Sequence, residues 1–274
     1  MPNHTETTLP SSTNEKMFVQ RWQPDGDLVG TAVLSHGVFE HSGRYSHVAE
    51  RFLKHGYDVW ALDHYGHGKS DGARGDIRYA NHFIDDLRVL IAHATTQSNT
   101  KPVLLGHSMG GAIAALYAVR HQDTLRALAL SSPALKAHAS PALIALGKIV
   151  GTLLPTVQTP AGLNQPASRN PAWEQWKEGD SLKHGRMTLR LAKFIVVAGE
   201  EAIQRAPELN IPVSLFVSGE DTYVDKRGAQ MFYQRLKPGM GEYHEYDGFL
   251  HEIFNEVEQD KPLSDLERWL ERVG

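Results

Sequence analysis

The residues best suited to chemistry begin with Gly106-His107-Ser108-Met109-Gly110, followed by a further Gly111. A G-x-S-x-G pattern alone is common, but here Pro102–Leu105 before it reads as a short buried strand. Ala112–His121 after it reads as a helix. That strand–turn–helix setting is what a nucleophile elbow requires: a sharp turn projects the serine hydroxyl above the sheet, and flanking glycines let strand and helix approach closely. The helix N-terminus below the serine favours negative charge developing there. The bland reading, a glycine-rich helix start without chemistry, leaves the preceding strand unexplained.

A serine hydroxyl needs a base to take its proton and an acid to orient that base, and in this architecture they follow in the order serine, acid, histidine. Asp221 and Asp225 both follow the apolar run Val213–Ser218. Asp221 lies immediately past the run, where a carboxylate can turn over the sheet edge, whereas Asp225 reads as the N-cap of the next helix. Two histidines remain downstream. His244 sits inside the alternating segment Glu242–Tyr246, while His251 follows the loop Asp247–Leu250 that can carry an imidazole back to the serine. The choice is therefore Ser108, Asp221 and His251. Backbone N–H groups of Met109 and of Val38, in the loop after the early strand, are the expected oxyanion donors.

These residues need a scaffold. Apolar runs at 17–22, 29–35, 57–62, 102–106, 125–131, 213–218 and 242–246 alternate with helical patterns at 44–55, 82–94, 109–121, 225–236 and 263–272. Continuous apolar blocks such as Val213–Val217 suit strands covered on both faces, and the alternation predicts one α/β domain over residues 1–274 built on a mostly parallel sheet. The alternation breaks between about Pro133 and Ala206, where helical patterns at 141–154 and 186–205 flank a Pro/Asn/Trp-rich stretch. An insertion there is expected to form a helical cap over the carboxyl edge of the sheet. Its first helix carries Leu143, Leu146, Ile149, Val150 and Leu153 with Lys148 as its one charge. Such a helix must bury against the domain or meet an apolar surface.

Composition removes other classes. The 274 residues hold 28 Lys+Arg against 32 Asp+Glu, a formal charge of −4, so no basic surplus is available for a nucleic-acid partner. Cysteine is absent, which excludes thiol chemistry and cysteine-based zinc sites. His64 and His67 lie in DHYGHGKSDG without a His-x-His or His-Glu-x-x-His spacing, so no metal is expected there, and Gly66-His67-Gly68 falls short of a dinucleotide fingerprint. The N-terminal stretch lacks signal-peptide character and no apolar run reaches membrane-spanning length, so a cytoplasmic protein is the expectation.

Taken together, SHGVFEHSGRY (Ser35–Tyr45), ALDHYGHGKSDG (Ala61–Gly72), GHSMGG (Gly106–Gly111), KHGRM (Lys183–Met187), SGEDTYVD (Ser218–Asp225) and HEIFNE (His251–Glu256) resemble the monoacylglycerol lipases of the α/β-hydrolase superfamily over nearly the whole chain. The resemblance implies the same three catalytic residues, a lid over the inserted segment, and a role for Glu40 and Arg44 at the glycerol end. It implies cleavage of monoacylglycerols to fatty acid and glycerol without a metal or organic cofactor, on a lipid ester substrate and without a protein partner. Peripheral membrane contact through the cap is a further expectation. A lysophospholipase or short-chain carboxylesterase is the alternative, and a non-catalytic binding protein of the same fold a remote one. One position departs from the family pattern: the residue before the glutamate is usually small, and here it is Phe39.

Overall fold

The chain was analysed as a computed structural model that describes residues 3–160 and 165–274. The strands are β1 (His4–Pro10), β2 (Lys16–Trp22), β3 (Gly30–Ser35), β4 (Tyr57–Leu62), β5 (Val103–His107), β6 (Ala127–Ser131), β7 (Gln158–Pro160), β8 (Arg186–Thr188), β9 (Val213–Ser218) and β10 (Gly241–Tyr246). The helices are α1 (Ser46–Lys54), α2 (His82–Ser98), α3 (Met109–His121), α4 (Pro141–Leu153), α5 (Pro171–Glu178), α6 (Leu189–Arg205), α7 (Arg227–Arg235) and α8 (Asp260–Val273). Eight strands form one sheet in the order β1-β2-β4-β3-β5-β6-β9-β10. β2 pairs antiparallel with both β1 and β4, and the remaining pairings are parallel.

Both faces of the sheet are covered, as the uninterrupted apolar strands require. Successive side chains of β5 show the pleat: Leu104 joins a core with α2, α3 and α6, while Val103 and Leu105 join the opposite core with α1 and α8. Phe52 and Trp269 anchor that second layer. The strands read from the sequence recur within one or two residues; β1, β7 and β8 were not read, and β8 takes the first three residues of the stretch expected to be helical at 186–205. β1 is the one of these in the main sheet. Its segment is polar and exposed, so it carries no apolar period; it is held by backbone pairing to β2, from His4 opposite Trp22 to Pro10 opposite Lys16.

The segment between β6 and β9 holds α4, the small β7–β8 ribbon, α5 and α6. Residues 161–164, inside the stretch expected to form the cap, lie outside the described residues. α6 presents Leu191, Phe194, Ala198 and Ala202 to the main core, so it is also the crossover helix between β6 and β9. α5 was hidden in the Pro/Asn/Trp-rich stretch, although Asn170-Pro171 was its signal. The Asn170 side chain accepts from the Ala172 and Trp173 amides, and Pro171 fills the first turn, where no N–H is needed. α7 starts at Arg227, so Asp225 is not its N-cap residue; the Asp225 carboxylate instead accepts the Arg227 amide at 3.1 Å and pairs with Lys136 and Arg227 side chains at 2.8 and 2.6 Å. α4 is not buried: Leu143, Leu146, Ile149 and Leu153 are 55–72% exposed. Among the described residues, no helix is long and apolar enough to cross a membrane.

The approach of β5, α3 and β3 is close enough to exclude a methyl group. A Cβ on Gly106 would lie 2.2 Å from the Gly110 carbonyl oxygen, and one on Gly110 would lie 2.1 Å from that of Ser35. Because both obstacles are backbone, neither can move without shifting a whole element. Gly110→Ala is expected to lower the thermal midpoint strongly and to abolish activity in whatever fraction remains folded, as read by calorimetry beside an ester assay.

Candidate active site

Ser108 occupies the turn between β5 and α3 with φ 54° and ψ −119°, a conformation that costs a non-glycine residue roughly 1–3 kcal/mol and persists only where the surroundings fix it. They do so here. Its N–H donates to Ser131 O at 3.0 Å in the neighbouring strand, and its carbonyl accepts from Ala112 at 3.1 Å and Ala134 at 2.9 Å. The strand and helix glycines thus place the hydroxyl at the carboxyl end of the sheet.

Asp221 and His251 reach the same place from the loops after β9 and β10. His251 Nδ1–H donates to Asp221 Oδ2 at 2.7 Å, and Asp221 Oδ1 accepts the Tyr223 and Val224 amides at 2.8 and 2.9 Å. Burial opposes charge on Asp221, but His251 and the two amides outweigh it and hold the carboxyl below its usual value. Burial would likewise lower the imidazole, yet the Asp221 charge and hydrogen bond prevail and His251 is raised. His107, 4.9 Å from His251 between ring centres, is pushed down by burial to about 4 and stays neutral. It therefore does not oppose the positive charge His251 would take on accepting a proton.

The loop after β3 is pinned group by group. Gly37 N–H donates to Glu40 Oε1, which also accepts from Tyr45 Oη at 2.6 Å. A Cβ on Gly37 would come within 3.2 Å of Ser108 Cβ, so glycine is what lets the loop lie against the serine. His36 Nε2 accepts the His64 amide at 2.9 Å, which leaves the proton on Nδ1 to donate to Gly37 O at 2.7 Å. The peptide plane is rigid and trans, so fixing that carbonyl aims the Val38 N–H the opposite way. Burial lowers His36 to about 3, keeping the ring in its neutral form.

Ser108, His251, Val38 and Met109 all line a cavity of about 1050 Å³. One part of its wall is apolar and comes from α4, α6 and α7, through Ile144, Ile195, Val196, Ile203 and Met231. The other part is charged and comes from the loop after β3, from α5 and from Glu252. Among the described residues, no group of three or more His, Asp or Glu is arranged to hold a metal ion.

A family model described as "Serine aminopeptidase, S33" (Hydrolase_4) matches residues 26–258. The chain belongs to this serine-hydrolase family. It is 36% identical to a monoacylglycerol lipase of Mycolicibacterium smegmatis over 91% of this chain and 90% of that one. It is 30% identical to the phospholipase YtpA of Bacillus subtilis over 87% of this chain and 93% of that one. The crystal structure of the monoacylglycerol lipase of Paleococcus ferrophilus superimposes with a TM-score of 0.85 at 30% identity, covering 93% of this chain and 99% of that one. The architecture is the α/β-hydrolase fold.

Within the family scaffold, the residues expected from sequence fall into two groups. Ser108, His251, Val38 and Met109 line one cavity, and Asp221 stands behind His251, joined to it by a hydrogen bond. Glu40 and Arg44 also line it, but both are engaged with the protein. Glu40 holds Gly37 and Tyr45, and Arg44 grips Asp180 Oδ2 through Nε at 3.0 Å and Nη2 at 2.6 Å. His244 lies flat on Phe216, 5.4 Å between ring centres, and accepts or donates only toward Glu242 at 3.3 Å, away from the cavity-lining set. The polar partners supplied by the inserted segment were not read from sequence. Lys177, buried, reaches Glu252 at 3.1 Å and Glu174 at 2.8 Å, and the Trp173 indole N–H donates to the other Glu252 oxygen. Glu252 stands next to His251 in the chain, which was the one available hint.

The two aspartates should separate cleanly. Since Asp221 is what raises His251, kcat/KM in wild type should fall with decreasing pH along a limb lying above the ordinary histidine value of about 6.5. Asp221→Asn should cut kcat about 10⁴-fold and move any residual acid limb to lower pH, because the charge favouring imidazolium is gone. Asp225→Asn should leave rate and limb nearly unchanged and lower only the thermal midpoint. A pH–rate profile of all three proteins decides it.

Proposed function

We propose that this protein cleaves monoacylglycerols to fatty acid and glycerol, with Ser108 as nucleophile, His251 as base and acid, Asp221 as its orienting partner, and the Val38 and Met109 amides as oxyanion hole. The observation that carries the reading is the 2.7 Å Asp221–His251 pair on the same cavity wall as the strained Ser108. Ser108 Oγ attacks the ester carbonyl as His251 Nε2 takes its proton, and the two amides hold the resulting oxyanion. His251 then protonates the departing glycerol oxygen, and the acyl group is left on Ser108. Water, deprotonated by the same imidazole, releases the fatty acid and restores the serine.

The lining suits an amphipathic ester. The apolar wall from α4, α6 and α7 offers a dry path for one acyl chain. The charged wall offers hydroxyl-binding groups for glycerol, with Glu40 Oε2 and Arg44 Nη1, 3.9 Å apart, facing each other there. A second acyl chain would have to displace that polar wall at a desolvation cost. The family description names an aminopeptidase, but an acyl path of this size is unneeded for an aminoacyl group. The relationship to a phospholipase favours a second reading, hydrolysis of lysophospholipids by the same residues. The inserted segment, about residues 133–206, acts as the cap. Its exposed α4 face rests on lipid surfaces, at interfacial depth since a helix of 13 residues cannot span a bilayer.

A panel of mono-, di- and triacylglycerols, lysophospholipids, p-nitrophenyl esters and an aminoacyl p-nitroanilide tests the substrate. Monoacylglycerol is expected to be turned over well above the others of its chain length, and Ser108→Ala should lose about 10⁴-fold or more on every ester. Preferred turnover of lysophospholipid or anilide would replace the reading.

The cap has its own test. Leu146→Ser with Ile149→Ser changes only exposed positions, so folding should be unaffected. Binding to phosphatidylcholine vesicles in a flotation assay should weaken several-fold, while turnover of p-nitrophenyl butyrate stays within twofold.

A further inference from the structure

Phe39 is a bulky residue at φ +69°, in the left-handed region that L side chains rarely adopt. It directly follows Val38, so whatever holds Phe39 also sets the peptide group carrying the oxyanion amide. Two of the pins on this loop come from its own neighbourhood: Glu40 on the Gly37 N–H and His36 on the Gly37 carbonyl. The third comes from the inserted segment. His184 N–H donates to Phe39 O at 3.4 Å, and the His184 ring meets the Phe39 ring edge-on, 5.0 Å between centres.

The His184 ring is itself fixed. Its Nδ1–H donates to Arg186 O at 3.2 Å, and its other side meets His67 at 4.8 Å between centres. His67 in turn lies 5.4 Å from His36, the ring that aims the Gly37–Val38 peptide. His67 is buried in a turn, with Nδ1–H donating to Tyr65 O at 3.0 Å. Three imidazoles thus stand in series behind the oxyanion loop, and the outermost belongs to the segment that covers the cavity. That segment is docked to the main domain beside them, where Thr188 N–H donates to Gly75 O at 2.8 Å and Thr188 Oγ1 to Asp76 Oδ1 at 2.8 Å.

We propose that His184 is a positioning residue that makes the oxyanion hole dependent on the cap: seated against Phe39 and His67, it holds Phe39 in its left-handed conformation and so completes the alignment of the Val38 amide. When the 182–187 stretch lifts, Phe39 is free to relax toward negative φ, and the loop loses one of its three pins. The KHGRM and DHYGHG histidines, which take no part in proton transfer, acquire a shared role as the stack between cap and hole. This inference rests on the assignment of Val38 as an oxyanion donor.

An oxyanion donor acts on the transition state more than on the bound ester, so its misalignment appears in kcat rather than KM. His184→Ala is expected to lower kcat for p-nitrophenyl butyrate about tenfold to a hundredfold, less than the roughly hundredfold to thousandfold of losing a donor outright because the amide is misaligned and not removed, with KM unchanged within twofold. A trifluoromethyl ketone, whose serine adduct carries an oxyanion, should bind more weakly by the same factor. His184→Phe keeps the ring edge against Phe39 and should recover most of the loss. In a Phe39→Gly background, where glycine adopts positive φ without strain, adding His184→Ala should cost little further, making the pair non-additive. If His184→Ala does not fold, His184→Leu, which fills the site without an aromatic edge, takes its place in both backgrounds with the same expected losses. Unchanged kcat, a loss confined to KM, or a kcat loss without weaker ketone binding would each overturn the clamp. Fluorophosphonate labelling of wild type that Ser108→Ala abolishes tests the proposed nucleophile separately, and tight binding of the ketone to wild type tests the oxyanion hole. Labelling retained in wild type together with an unchanged kcat in His184→Ala rejects the clamp alone.

Discussion

Everything at the carboxyl edge of the sheet depends on the close crossing of β5, α3 and the end of β3. Gly106 and Gly110 remove the two Cβ atoms that would hold strand, helix and oxyanion loop apart, and Gly37 removes a third. With those atoms absent, the backbone of Ser108 can be forced to φ 54° and kept there by bonds from Ser131, Ala112 and Ala134. The strain is local and the bonds that resist it are distributed over β6, the loop that follows it and α3. That is why a serine at a helix start becomes a serine pointed into a cavity.

Charge is handled differently on the two sides of that serine. Around His251, opposite charge prevails over burial, and Asp221 raises the imidazole while remaining ionised itself. Behind the loop after β3, burial prevails, and His36, His64 and His67 are held well below the usual histidine value. Neutral rings there serve as fixed donors and packing faces whose hydrogen-bond directions do not change across the pH range in which the base titrates. One residue type thus provides both the titrating group and the rigid support.

The inserted segment divides its labour by composition. α5 and the 180–188 stretch carry Lys177, Asp180 and His184, each tied to residues of the main domain by ion pairs or ring contacts. α4 carries exposed leucines and isoleucine. The charged part fixes the segment over the polar end of the cavity, and the apolar part is left facing outward, where only an apolar surface would favour it.

The sequence by itself determined the buried strands, the helices that alternate with them and the order of the chemical groups. Continuous apolar strands, the glycine-flanked serine, and an acid and a histidine after the last strands are local patterns, since each follows from the period of one element or the needs of one turn. They single out Ser108, Asp221 and His251 as candidates, and the structure pairs Asp221, rather than Asp225, with His251. The edge strand β1 carried no such pattern, because an exposed strand is held by backbone bonds that any side chain permits. What only the tertiary structure decided are the pairings between distant segments. Glu40 serving Gly37, Arg44 serving Asp180, Lys177 meeting Glu252, and His184 meeting Phe39 across 145 positions of chain are contacts between segments whose spacing in sequence carries no period. The same holds for the exposure of α4: its apolar residues spread over several faces, and which of them met the core was fixed only when α6 docked on α3 and took that place itself.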